Sequence, residues 1–158
     1  MRGCLKSVGR VFAVGGWAPL LVFAVHVFAS QVLRAYSLWP RTDIPMHFAG
    51  GVAMAYFISQ CFRALPRETV RRSRIVVLEP LLVGSLTTSA AVVWEFAEFT
   101  VDAVAATSIQ VSLANTMQDI ALGMLGAAAV VLVRLWHTRV GRADIAEIAK
   151  DWIAGGAR

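Results

Sequence analysis

The chain has 158 residues, 58% of them hydrophobic and only 16% charged, with a net charge of +5. Soluble domains average about 45–50% apolar and about 25% charged residues, so this composition excludes an ordinary water-soluble domain and leaves room for one membrane domain and little else. The positive charge sits in stretches between apolar blocks, where a bacterial membrane protein uses it to set orientation, and nucleic acid is therefore not expected as a partner.

The first apolar block, residues 11–33, follows Arg2, Lys6 and Arg10. Its 23 residues exceed the ~7–15 of a signal-peptide core and match the ~20 that cross a bilayer, so an uncleaved span is expected. The second, residues 44–64, ends at a run of five arginines: Arg63, Arg67, Arg71, Arg72 and Arg74. The third, residues 75–99, opens with Glu79-Pro80 and closes with Trp94-Glu95-Phe96-Ala97-Glu98. Residues 101–115 form a mildly apolar loop, and the fourth block, residues 117–136, contains Asp119 and leads to Arg134, Arg139 and Arg142.

In the tail, residues 141–158, Ile145, Ile148, Trp152 and Ile153 recur at helical spacing among charged residues. The pattern predicts an amphipathic helix, either lying on the membrane surface or solvated with one sticky face. The expected fold is all-α: a four-helix transmembrane bundle over residues 1–140 and a short amphipathic C-terminal helix.

Cytoplasmic loops are enriched in Lys and Arg. With both termini inside, 13 of the 15 basic residues are cytoplasmic and only Arg34 and Arg41 lie outside. The expected location is thus the bacterial cytoplasmic (inner) membrane with both termini cytoplasmic. Cys4 and Cys61 then lie on or near the reducing side and lack metal or redox spacing, so both read as small packing thiols.

This topology gathers Asp43, His47, Glu95, Glu98 and Asp119 at one depth, within about two turns of the outer face at ~1.5 Å per residue. Asp43 before Pro45, and Asn115 before Gln118, are equally readable as helix caps. The two glutamates, placed in the last turn of the third span, would face the unfavourable end of its dipole. Small residues let membrane helices approach closely, and three stripes end on the polar residues: Gly84, Thr88, Ala91 and Glu95; His47, Gly51 and Ala55; Asp119, Gly123 and Ala127. The acids and the histidine are therefore expected to point into the bundle.

Elsewhere, His26 is expected either at the same pocket or on a neighbouring backbone group. Glu79 is expected to reach water and Arg74, Arg34 to neutralise one acid or extend to the interface, and His137 to be exposed.

The blocks Asp43-Ile44-Pro45-Met46-His47-Phe48, Trp94-Glu95-Phe96-Ala97-Glu98 and Asn115-Thr116-Met117-Gln118-Asp119, with Gly126 beyond, resemble the signature segments of VanZ-like and YjdF-like small membrane proteins over roughly residues 40–130. In the VanZ-like pattern Glu98 stands in place of a glutamine and Gly123 in place of an asparagine. The YjdF-like pattern fits the third and fourth spans better, with Asn115 in place of its first aspartate. The resemblance implies a helical membrane protein whose better-known relatives lower sensitivity to the lipoglycopeptide teicoplanin, and it supplies no reaction.

Two readings of the polar cluster stand side by side. One is a hydrogen-bonded network that only orients helices. The other is an outward-facing pocket for an envelope lipid or lipid-linked headgroup, with Glu95 and Glu98 as candidate catalytic carboxylates and Asp43, Asn115 and Arg34 as candidate substrate-binding residues. In the second reading His47, Glu95, Glu98 and Asp119 are candidate ligands of a divalent metal, and one histidine among oxygens suits Zn, Mn or Fe. Rival classes are a small proton- or cation-coupled carrier and a non-enzymatic subunit of a membrane complex. The bilayer is the one partner implied by composition, and oligomeric state is not encoded in any pattern here.

Overall fold

The computed structural model describes the backbone of residues 10–64 and 75–155 and the side chains of 10–64 and 78–137; Cys4, Arg2, Lys6, Arg67, Arg71, Arg72, Arg74 and the side chains of the predicted amphipathic tail lie outside them. Every regular element within these limits is helical. A π-helical turn, Phe12–Gly16, leads into α1 (Trp17–Gln31). A short helix α2 (Ala35–Leu38) and a 3₁₀ turn (Pro40–Thr42) follow, then α3 (Asp43–Arg63), α4 (Ile75–Ala105) and α5 (Leu113–Gly155). Gly15 has φ of 137° beside the ring of Tyr56, a backbone conformation open only to glycine at little cost.

The distribution of side chains is that of a membrane protein. Large apolar residues such as Leu20, Leu21, Phe96, Leu125 and Leu132 are exposed, while the buried hydrophobics are small: Ala18, Ala29, Ala35, Ala53, Ala55, Val83 and Ala127. A water-soluble fold buries its large residues; here the apolar shell needs a lipid solvent. Among the described residues, Phe12–Gln31, Leu78–Ala105 and Leu113–His137 are each long and apolar enough to cross a membrane. The 21-residue α3 is not one of these, because it carries Asp43, His47, Ser59 and Gln60.

Helix α3 is the hub, packing against α1, α4 and α5. Its crossing with α5 brings backbone onto backbone: a Cβ on Gly51 would stand 2.2 Å from the Gly123 carbonyl oxygen, and one on Gly126 would stand 2.5 Å from that of Phe48. Helix α4 joins at the same level, Ala91 Cβ lying 3.1 Å from where a Gly123 Cβ would be. Two predicted stripes thus meet as expected. The third ends sooner: a Cβ on Gly84 would meet nothing within 4 Å, so that glycine makes no close helix contact.

Three boundaries differ from the sequence reading. Helix α4 continues to Ala105, well past the expected end near Phe99, because nothing in Thr100–Ala105 breaks it. Helix α5 begins at Leu113 and runs through Gly141 without interruption, so the backbone of the tail is a continuation rather than a separate short helix. Isolated glycine within a helix costs only about 1 kcal/mol, too little to force a break.

The glycine crossing yields a stability prediction. Gly51→Ala forces the α3 and α5 backbones apart and lowers stability by about 1–3 kcal/mol, whereas Gly50→Ala, whose Cβ meets nothing within 4 Å, leaves it unchanged or raised by up to about 1 kcal/mol. Thermal unfolding of the two variants in detergent checks the contrast.

Candidate functional site

The three-helix contact fixes the polar cluster. His47 lies four residues before Gly51, Asp119 four before Gly123, and Glu95, on the antiparallel α4, four after Ala91. Each therefore stands one turn, about 5–6 Å, from the crossing on the same side. Glu95 and Asp119 are buried, with 5% and 3% of their surface exposed.

His47 is the centre of the group. Its Nε2 is 3.1 Å from Asp43 Oδ1 and 3.9 Å from Asp119 Oδ2, while its Nδ1 faces Glu95 Oε1 at 3.7 Å. Asn115 Nδ2 donates to Asp43 Oδ2 at 3.2 Å and to Asp119 Oδ2 at 2.5 Å, tying α3 to α5. Ligand-capable atoms of Asp43, His47 and Asp119 lie within 4.8 Å of one another. Asp119 Oδ1 is buried and has no hydrogen-bond partner.

Several sequence expectations are corrected here. The capping reading of Asp43 gives way, because α3 has no side-chain cap and that carboxylate is spent on His47 and Asn115. At α5 the cap is Ser112, whose Oγ accepts the Asn115 backbone N–H at 3.2 Å, leaving the Asn115 amide free for the acids. Glu95 and Glu98 sit two to three turns before the end of α4, so the helix-end dipole does not act on them. Glu98 accepts a hydrogen bond from Trp94 Nε1 at 2.8 Å and stands outside the Asp43–His47–Asp119 group. Arg34 is exposed, in a left-handed conformation before α2, and forms no ion pair with the cluster. At the far end of the bundle Glu79 is paired with Arg134, and Ser59 Oγ donates to it at 3.4 Å, while its expected partner Arg74 lies outside the described residues. His137 is exposed as expected.

The loop after α4 contributes residues that no sequence pattern singled out. The Asp102 carboxylate accepts from Thr107 Oγ1 (2.6 Å) and from the backbone N–H groups of Ile109 (2.8 Å) and Gln110 (2.8 Å). This folds the loop back so that Gln110 Nε2 donates to the Glu95 carbonyl at 3.0 Å and to its Oε2 at 3.3 Å. A single Asp seven residues before the backbone group it binds leaves no periodic trace.

Beside the cluster lies a cavity of about 290 Å³ between α1 and α4, with α3 behind it. His47 and Asp119 form one end, Thr87 and Met54 contribute farther in, and Leu20 and Phe23 of α1 close one wall. Trp94 roofs it edge-to-face with Phe23 and His26, at 6.0 and 5.4 Å between ring centres. His26 does face this pocket, and its Nδ1 pairs with the Tyr36 hydroxyl at 2.7 Å, not with backbone. Burial, reinforced by the Asp43 and Glu98 carboxylates, pushes the Tyr36 phenol up to about 12.

Residues 12–139 match the family model described as Predicted membrane protein (DUF2238). The chain belongs to the DUF2238 family. The matched segment takes in every member of the polar cluster, the Asp102 loop and the whole cavity, so the site belongs to the part of the chain that is characteristic of DUF2238. No curated protein and no solved structure matches the chain.

Two outcomes follow from this geometry. In Asp102→Ala the backbone amides of Ile109 and Gln110 lose their acceptor and exchange hydrogen faster, while amides within α3 keep their protection; exchange mass spectrometry reads both. Tyr36 holds its proton longer folded than unfolded, so its stabilising contribution is fully present below pH ~10 and is lost as the pH rises toward 12. A phenolate absorbance step near pH 12 that disappears in Tyr36→Phe is the expected result.

Proposed function

We propose that this membrane protein holds a divalent cation at Asp43, His47 and Asp119 and uses it to bind the anionic headgroup of an envelope lipid or lipid-linked molecule. The single observation that carries the reading is Asp119 Oδ1: a buried carboxylate oxygen without a partner, beside a histidine and a second carboxylate within ligand range. Leaving such an oxygen unsatisfied costs roughly 1–3 kcal/mol or more, and a cation removes that cost. Two ligands of one ion at about 2.1 Å stand no more than about 4.2 Å apart, which small side-chain rotations within the triad would reach.

The orientation of His47 suits this role. Its Nε2 faces the two aspartates and its Nδ1 faces Glu95, and metal-bound histidines commonly donate their other N–H to a carboxylate. Glu95 is then the carboxylate available as a general base near a bound headgroup, with Gln110 holding it. Asn115, whose Nδ2 holds Asp43 and Asp119, stands at the rim, where its carbonyl oxygen is available to a headgroup.

We place the cluster on the outer side of a four-span bundle, with α3 as the remaining span and both termini cytoplasmic, on the bias of basic residues. The less apolar composition of α3 fits an interior position, since its polar groups face protein and not lipid. The VanZ-like and YjdF-like resemblance agrees with an envelope role. Against a carrier, beyond Thr87 the buried cluster of Ala55, Val83 and Ala127 stands before the Ser59, Glu79 and Arg134 group, interrupting a polar path between the two.

Elemental analysis of detergent-purified protein tests the cation. Wild type is expected to carry about one divalent ion per chain, lost in His47→Ala and Asp119→Asn with helicity preserved, and retained in Glu98→Gln. Glu95→Gln should weaken affinity by about 10–100-fold. Wild type free of divalent metal after purification in metal-supplemented buffer would sink the cation reading.

A further inference from the structure

The hydroxyl of Thr87 behaves unlike its neighbours on α4. Thr88, Ser89 and Thr100 each donate to the carbonyl four residues back, at 2.9, 3.0 and 2.7 Å, the ordinary way for a helical hydroxyl to be satisfied where water is scarce. Thr87 is 1% exposed and its Oγ1 has no partner. It lines the same cavity as Asp119, whose Oδ1 is the other unpartnered buried side-chain atom among the described residues. Both residues thus line one cavity, Thr87 some two turns of α4 below Glu95 and Asp119 at the cluster end, with mostly apolar walls between.

Three properties of this cavity define its ligand. At about 290 Å³ it stands at the lower end of the usual ~300–1,000 Å³ of pockets for drug-sized ligands, room for a segment of a lipid and not for the whole of one. It lies between α1 and α4, which meet chiefly at Trp94, so the rest of the molecule extends between those helices into the bilayer. Its lining reaches Met54 and Thr87, and the buried Ala55, Val83 and Ala127 core follows toward the opposite end of the bundle.

We propose that the cavity binds the ester-bearing segment of an anionic glycerolipid drawn sideways from the bilayer, with Thr87 Oγ1 donating to an ester carbonyl oxygen and the phosphate directed to the cluster. This deepens the headgroup reading above and rests on it for the position of the phosphate. A polyprenyl phosphate offers the same phosphate and an apolar chain, but no carbonyl for Thr87. The carbonyl separates the two classes.

The test measures binding to purified wild-type protein by native mass spectrometry and titration with three probes: dioleoyl phosphatidylglycerol, its dialkyl ether analogue, and a polyprenyl phosphate. The ester lipid is expected to bind about fivefold more tightly than the ether, the worth of one net hydrogen bond. That preference should vanish in Thr87→Val and return in Thr87→Ser. Gly50 lines the cavity and its Cβ would meet nothing within 4 Å, so Gly50→Leu should fill the space and abolish binding of all three while the protein keeps its helicity and thermal stability. Equal ester and ether affinity in wild type, tighter binding of the polyprenyl phosphate, or unaltered lipid binding in Gly50→Leu would each overturn the proposal. Metal binding without the ester preference sinks this inference alone; an ester preference in a protein free of metal sinks the cation reading alone.

Discussion

Where α3 crosses α5 the two backbones touch, and Gly51, Gly123 and Gly126 are the residues that allow it. A methyl group at Gly51 or Gly126 would stand within covalent-clash range of a facing carbonyl oxygen. In lipid there is no hydrophobic force between helices, so close backbone approach and packing must supply the association. The positions of His47, Glu95 and Asp119 follow from this one contact. His47 and Asp119 are each one turn from the crossing, and Ala91 brings Glu95 to the same level from the antiparallel α4. Three carboxylates and an imidazole meet because three helices are pressed together beside them.

That convergence has an energetic consequence. Several acids sharing one small space repel each other, and each loses hydration. Part of the charge is met by His47, and part by donors from Asn115 and Gln110. The remaining oxygen of Asp119 has neither. A purely structural network would be expected to satisfy its buried members, and even the partly exposed Glu79 at the other end is paired with Arg134 and Ser59. The contrast between the two ends is the physical reason to read one as a joint and the other as a site.

Much of this was legible in the sequence because helical spacing and helix direction are enough to find it. Residues four apart share a face, so the His47–Gly51 and Asp119–Gly123 stripes point to a crossing, and an antiparallel third helix puts Glu95 beside them. What could not be read depends on local stereochemistry or on long-range rotamers. Asp43 was equally readable as a cap; it stands one turn before His47 on the same helix, and its second bond, to Asn115, depends on how α5 packs against α3. Glu98, one turn from Glu95, instead accepts the indole N–H of its own Trp94 at 2.8 Å. The Asp102 turn that delivers Gln110 is a hydrogen-bonded loop, with no periodicity to betray it. Thr87 and Thr88 are neighbours of the same type, and which of them faces inward is decided by the rotation of α4 alone.

The helix that carries the site is also the one least suited by composition to a membrane, and the two facts have one cause. Helix α3 touches each of the other long helices, so, Ile44 and Phe48 apart, much of its surface meets protein, and the residues there serve close approach and polarity: Gly51, Ala53 and Ala55 where neighbours press in, His47 and Ser59 where partners wait. The outer helices carry the large apolar residues that lipid requires. A hydropathy window sees only the second role. In a bundle this small one helix must serve as the core, and the polarity that lowers its apparent fitness to span a bilayer is the polarity from which a binding site can be made.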